Sequence, residues 1–200
     1  MGAMIFGDRR EAGRELAKAL ITRVYTRQDT LVLGIPRGGL VVADEVAKTL
    51  SAPLDVIITR KLRAPYQPEL GIGAVVDGEH ISIINEDVAR AVGADQNYLS
   101  HEIVYQMKEI DRRLQFYRGN RPAPEVFGRT VIVIDDGIAT GYTLRASLQG
   151  LRRRNPAKLV AAAPVAAFDS AEMLKAFADE MVCLHIPVSL FCRGCLVQEL

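Results

Sequence analysis

The chain has few cysteines, no long apolar run and no excess of either charge, and each absence removes a class of protein. Its three cysteines, Cys183, Cys192 and Cys195, are too few and odd in number for a disulfide scaffold. Cys192-Arg193-Gly194-Cys195 has C-x-x-C spacing. A structural zinc site wants a second such pair, and a thioredoxin-type motif sits at a strand-to-helix junction, so ordinary thiols are expected. No apolar stretch approaches the ~18–20 residues that span a bilayer, so no membrane partner is expected. Met1 to Arg10 carries charge and lacks the apolar centre of a secretory signal, which makes the cytoplasm the expected compartment. A formal net charge of +1 over 200 residues creates no field for nucleic acid, and none is expected as a partner. The basic run Arg152-Arg153-Arg154 reads as the solvated end of a helix, where cations suit the dipole. There is no internal repeat and no His/carboxylate cluster that would cage a metal.

What is present describes a globular α/β chain. With 200 residues and 49% hydrophobic content, one domain with a full core is expected. Asp8 caps a predicted helix over 9–26, with Glu11 at capping-box distance and Leu16, Leu20 and Val24 on one face. Leu31–Ile35 reads as a first buried strand, broken by Pro36-Arg37-Gly38-Gly39 and followed by a helix to about Leu50. Leu54–Thr59 is a second strand, and a Pro-, Gly- and charge-rich loop runs from Arg60 to about Gly71. Ile72–Val76 and His80–Ile84, around Asp77-Gly78-Glu79, predict a β-hairpin. Asn85 caps a short helix to Val92, and Gln96 to about Arg118 is a long charged helix. Val131–Ile134 and a helix over 143–154, a strand Lys158–Val165, a helix Ser170–Ala178 and a strand Glu180–His185 complete the core. This βαβ…βαβαβ order predicts a parallel, doubly wound sheet with ligands at the carboxyl ends of its strands.

Three loops follow predicted strands, and a parallel sheet would gather them at one edge. The strongest is Asp135-Asp136-Gly137-Ile138-Ala139-Thr140-Gly141-Tyr142-Thr143, where two carboxylates end a strand and small and hydroxyl residues lead into a helix. Free N–H groups and a helix dipole there suit phosphate. The paired acids suit vicinal sugar hydroxyls or the shell of a divalent cation, so a sugar phosphate is the expected ligand. In the first loop Arg37 can fork onto phosphate oxygens while Gly38 and Gly39 let backbone N–H groups approach. In the second, Arg60 and Lys61 stand at a strand end before Arg63, Tyr66 and Glu69, and the length suggests a lid.

At these residues the chain resembles the type I phosphoribosyltransferases. Val131–Thr143 is similar to that family's signature for phosphoribosyl pyrophosphate (PRPP), Ile35–Gly39 to its pyrophosphate loop, and Arg60-Lys61 to the pair that precedes its flexible lid. The segment Phe6–Gly13 resembles an uncharacterised bacterial branch. The resemblance covers about residues 5–190 and implies one domain over 1–200. Its expected fold is a doubly wound, mostly parallel five-stranded sheet flanked by helices. A lid is expected at about 61–73, and a small variable hood from the N-terminal segment and about 187–200. The implied roles are residue by residue. Asp135 and Asp136 bind the ribose hydroxyls, and Ala139, Thr140, Gly141, Tyr142 and Thr143 cradle the 5-phosphate. Arg37 and Gly38 hold pyrophosphate, and Arg60 and Lys61 neutralise it as it leaves. Mg²⁺ is held mainly by PRPP and water, with no direct protein ligand, near Asp135 and Asp136.

The implied reaction is displacement of pyrophosphate from PRPP by a small nitrogenous acceptor. Two positions depart from the pattern. Gly137 stands where the signature commonly has an aliphatic residue, and Ala139 where hypoxanthine-guanine enzymes carry a catalytic Asp. Adenine enzymes resemble this chain in having Ala there and a Glu in the lid, a part Glu69 could take as base. The hood supplies Phe191 as its one aromatic from the C-terminal piece, and His185 reads as a satisfied core residue. Helix 96–118 is the candidate contact surface for a homodimer, usual in the family. A PRPP-sensing regulator with little catalysis, and a phosphohydrolase side activity, stay open beside the transferase.

Overall fold

The computed structural model describes residues 6–23, 29–77 and 81–187. In chain order the elements are α1 (Arg9–Ile21), β1 (Thr30–Gly34), α2 (Gly38–Leu50), β2 (Leu54–Val56), β3 (Thr59–Ala64), β4 (Gln67–Val76), β5 (Ile81–Ile84), α3 (Glu86–Ala91), α4 (Gln96–Arg118), β6 (Thr130–Ile134), α5 (Tyr142–Arg152), β7 (Lys158–Val165), α6 (Phe168–Leu174) and β8 (Glu180–His185). Five parallel strands lie in the order β2-β1-β6-β7-β8, and β3-β4-β5 form a separate antiparallel sheet. The chain order reverses between β1 and β6, which places the switch point, and the site, between their carboxyl ends.

The central strands are apolar without alternation because both faces are covered. Leu31, Leu33, Val131, Val133 and Leu159 face Leu144, Leu148 and Leu151 of α5. Val32, Ile132, Ile134 and Val160 face Leu16 and Leu20 of α1 and Val42 and Val46 of α2. Each such side chain contributes about 1.5–3 kcal/mol through burial. Gly13 lets α1 and α2 close, since a Cβ there would lie 2.9 Å from the Val42 carbonyl. The small sheet packs Leu62, Ile72 and Val75 on Leu99 and Ile110 of α4. The end of α4 is fastened by Arg118, whose buried guanidinium pairs with Asp55 at 3.0 Å and Asp77 at 3.0 Å and donates to the Val56 carbonyl.

Several expectations change. The predicted strand 54–59 splits, because β2 ends at Val56 and the chain moves to the second sheet at Thr59. Ile57 and Ile58 are both buried but in different clusters, so no polar residue marks the crossing. The predicted loop 60–71 is a β-hairpin, β3 and β4, turning at Pro65-Tyr66 with Tyr66 at φ 60°. Register shifts on both sides of Arg63 hide its alternation. Pro68 is tolerated because β5 pairs with β4 only from Gly73, leaving that stretch with one neighbour. Helix α1 ends at Ile21 and α6 at Leu174, shorter than expected.

The arginine run closes α5 as expected, with Arg152 and Arg153 exposed and Arg154 half-buried. Arg152 makes a two-pronged pair with Asp179, Arg153 donates to the Ser82 carbonyl and Arg154 to that of Pro124. His185 is exposed at the end of β8, edge-on to Phe6 at 5.4 Å, and is not a core residue. Cys183 is a free thiol whose pKa burial pushes up, which fits an unreactive role. Val24, Gly78 to His80, Phe191, Cys192, Cys195 and all but Pro187 of the C-terminal hood lie outside the described residues.

Candidate active site

The acid pair forms where β6 ends. The Asp135 N–H continues the ladder by donating to the Ala162 carbonyl at 3.2 Å. Asp135 Oδ1 accepts the Asp136 N–H at 2.9 Å, and Asp136 Oδ2 accepts from Arg9 Nε at 2.8 Å. The Asp135 carboxyl is pushed up to about 8, first by burial and then by the neighbouring Asp136 charge. Burial and that neighbouring charge favour the protonated form of Asp135, while Arg9 pairs with Asp136.

Helix α2 starts against this pair. A Cβ on Gly38 would lie 1.9 Å from Asp136 Oδ2, and one on Gly39 would lie 2.7 Å from the Ile134 carbonyl. Both glycines are required by close approach, which is how the first and third predicted loops come together. Arg37 is exposed beside them.

The segment from Ile138 to Thr143 is held from below. Ile138 bridges to Ala166, its N–H donating to the Val165 carbonyl at 2.9 Å. Ser170 Oγ donates to the Ala139 carbonyl at 2.7 Å. Gly141, at φ 71°, turns the chain into α5 and is buried against Met173. Ala139, Thr140, Tyr142 and Thr143 are exposed.

Helix capping separates these termini from the rest. Asp8, Asn85 and Asp95 accept from first-turn N–H groups of α1, α3 and α4. Helices α2 and α5, which flank the acid pair, have no side-chain cap. Apart from Leu40, which donates to the Arg37 carbonyl at 3.2 Å, their first-turn N–H groups lack intrahelical partners and carry the positive ends of two dipoles toward one space. Among the described residues, the only other helix without such a cap is the seven-residue α6.

The second loop stands apart. Successive strand residues face opposite sides. Arg60 Nε donates to Gln106 on α4 at 3.0 Å, whereas Lys61 Nζ donates to the Glu69 carbonyl of its own hairpin at 2.7 Å. Burial, and the charges of Arg113 and Arg63, lower the Arg60 pKa. The Glu69 side chain is fully exposed, 3.8 Å from Lys61. Among the described residues, no hydrogen bond or ion pair joins this hairpin to the acid pair.

Sequence reasoning missed Arg9, Gln106, Glu102 and Ser170. Gln106 is fully buried and passes its amide to Glu102 Oε1 at 2.8 Å, which also accepts from Arg63 Nε at 3.2 Å. Only the basic residue at the start of α1, where the dipole disfavours a cation, was a readable signal. Among the described residues no group of three or more His, Cys, Asp or Glu side chains could hold a metal. The Asp135 and Asp136 carboxylates are the hard oxygen donors at this site, the donor type magnesium takes.

Known proteins resemble this chain. The protein named "Putative phosphoribosyl transferase Rv0571c" from Mycobacterium tuberculosis is 40% identical over 95% of this chain and 42% of its own length. The chain thus spans about two-fifths of that relative. The protein TT1426 from Thermus thermophilus is 41% identical, with a TM-score of 0.82 over 96% of this chain and 89% of its own. A hypoxanthine phosphoribosyltransferase from Staphylococcus aureus, 12% identical at a TM-score of 0.54 over 94% of this chain and 79% of its own, shares the fold. The family model described as "Phosphoribosyl transferase domain" matches residues 8–199. Because that match runs through the acid pair and both helix N-termini beside it, the chain belongs to the phosphoribosyl transferase family.

Proposed function

We propose that the protein transfers the phosphoribosyl group of PRPP to a small nitrogenous acceptor and releases pyrophosphate. The observation that carries this reading is the acid pair packed on Gly38 between two uncapped helix N-termini. Asp135 and Asp136 accept the ribose hydroxyls, and the N–H groups of Ala139 to Thr143 with the Thr140 and Thr143 hydroxyls take the 5-phosphate. The N-terminus of α2, with Arg37 and Gly38, takes the diphosphate.

The acceptor nitrogen forms a bond to the anomeric carbon as the bond to the diphosphate oxygen breaks. The diphosphate leaves with the electron pair and takes up the proton that the acceptor nitrogen gives up. The positive ends of α2 and α5 and the Arg37 side chain oppose the charge that accumulates on the leaving group. Asp135 and Asp136 are the carboxylates that would face magnesium, and the ion would supply further neutralisation of the leaving group. The β3–β4 hairpin is the lid. Its closure would bring Lys61 and Glu69 to the reacting groups and exclude water from the cationic sugar.

Pyrophosphate release is the test, with PRPP, Mg²⁺ and a panel of purines, pyrimidines and small amines. Release that needs both an acceptor and the metal is the expected result. No release with any acceptor would overturn the transferase. A PRPP-sensing regulator is the second reading, favoured by Arg60 and Lys61 being engaged away from the acid pair. It requires PRPP binding without turnover. No described helix is long and apolar enough to cross a membrane.

A further inference from the structure

We infer that Arg9 is a donor-binding residue, holding Asp136 in the free protein and turning to the diphosphate when PRPP arrives. This rests on the PRPP reading of the site. Arg9 is the first residue of α1, where the dipole repels a cation, so its position is costly unless it serves a partner beyond its own helix.

The segment before it is built to present this side chain. Phe6 is buried with Ala12 and Val165 and lies edge-on to His185. Asp8 Oδ1 accepts the Glu11 N–H at 2.7 Å, and Glu11 Oε2 accepts the Gly7 N–H at 2.5 Å. A Cβ on Gly7 would lie 2.9 Å from that carboxylate, so the turn is tight on both sides of the cap. The result is a fixed platform that delivers one guanidinium across 127 residues of sequence to Asp136.

The pairing also sits at the right place. The point a Gly38 Cβ would occupy is 1.9 Å from Asp136 Oδ2 and 2.8 Å from Arg9 Nε, so carboxylate, guanidinium and the N-terminus of α2 meet at one spot. Ribose hydroxyls that bind Asp136 would displace a ligand that Arg9 already provides. A planar, permanently charged fork released beside an uncapped helix N-terminus meets the diphosphate bidentately. Both side chains keep 27% exposure, which leaves room for that turn.

The experiment compares Mg·PRPP with ribose 5-phosphate by calorimetry on wild type, Arg9→Ala and Arg9→Lys. Ribose 5-phosphate retains the hydroxyls and 5-phosphate and lacks the diphosphate. Loss of a charge-assisted contact should weaken PRPP binding by about tenfold to a hundredfold in Arg9→Ala, with a smaller loss in Arg9→Lys. Ribose 5-phosphate should bind the alanine variant as tightly as wild type, or more tightly because Asp136 is already released. Equal losses for both ligands would overturn the diphosphate contact and leave Arg9 a support for Asp136. Unchanged PRPP affinity would overturn it outright. Wild type that fails to bind PRPP would instead remove the reading on which the inference rests. Thermal unfolding of both variants checks the fold, and the lysine variant serves if the alanine variant does not fold.

Discussion

Gly38→Ala should separate binding from stability. The added Cβ would stand 1.9 Å from Asp136 Oδ2, 2.4 Å from its Cγ and 2.8 Å from Arg9 Nε, all inside the 3.0 Å limit of real contacts. The cheapest relief is rotation of Asp136 away from Gly38, which breaks its bond to Arg9. For folding, the two effects oppose each other. Alanine in place of glycine gains up to about 1 kcal/mol of helix propensity. An ion pair with both side chains 27% exposed loses about 0.5–1 kcal/mol. Stability should therefore stay within about 1 kcal/mol of wild type.

For binding, the effects add. The displaced carboxylate loses its charge-assisted hydrogen bonds to the ribose hydroxyls, worth about 1.5–3 kcal/mol each. The methyl also stands where the diphosphate would approach α2. A loss of about 3 kcal/mol is about a hundredfold in Kd. Thermal unfolding and calorimetric titration with Mg·PRPP measure the two quantities on the same sample. Wild-type PRPP affinity in Gly38→Ala, with the fold intact, would refute the close packing of Asp136 against the loop and its role in binding.

Three other perturbations follow from the same structure. The folded Asp135 holds its proton from the ordinary aspartate range up to about 8, whereas the unfolded chain releases it near its usual value. The unfolded state then binds fewer protons, so this group's contribution makes stability fall as pH rises through that window. Asp135→Asn should flatten the fall and stabilise the protein by about 1–2 kcal/mol at high pH, read by thermal unfolding across pH; a steeper fall would contradict the assignment. Arg118→Met leaves Asp55 and Asp77 facing each other in a buried setting and should cost about 3–5 kcal/mol by denaturant unfolding. The cost should shrink in acid, because burial already raises the Asp77 pKa. Ser170→Ala removes the donor to the Ala139 carbonyl and should weaken binding of ribose 5-phosphate severalfold while costing about 1 kcal/mol of stability, separable by calorimetry and melting.

The parallel sheet was legible because its strands are buried on both faces and read as unbroken apolar runs, as Val131–Ile134 does. The helix starts at Asp8 and Asn85 are set by local side-chain caps, and the structure has both; the Asp95 cap was not read from the sequence. The acid pair and its loop were legible for a related reason, since a strand end, two carboxylates and a small-residue turn are all local. The hairpin 60–76 was not, because its bulges at Arg63 break the period of two and Pro68 depends on which edge of the strand is free. The opposite facing of Arg60 and Lys61 follows from that strand, so reading the segment as a loop merged two side chains that the fold separates. Arg9 gave only a weak signal, a cation at a helix start, because its partner Asp136 lies 127 residues away in sequence and tertiary packing of α1 brings the two together. Gln106 carried no signal beyond a polar residue on a charged helix, and its burial is tertiary.

Calorimetric titration of Mg·PRPP into wild type and into Asp135→Ala/Asp136→Ala tests the central assignment most directly. Saturable binding to wild type, abolished in the double variant with its fold retained, is the expected result. Equal affinity in the two proteins would contradict the placement of the PRPP ribose on the acid pair.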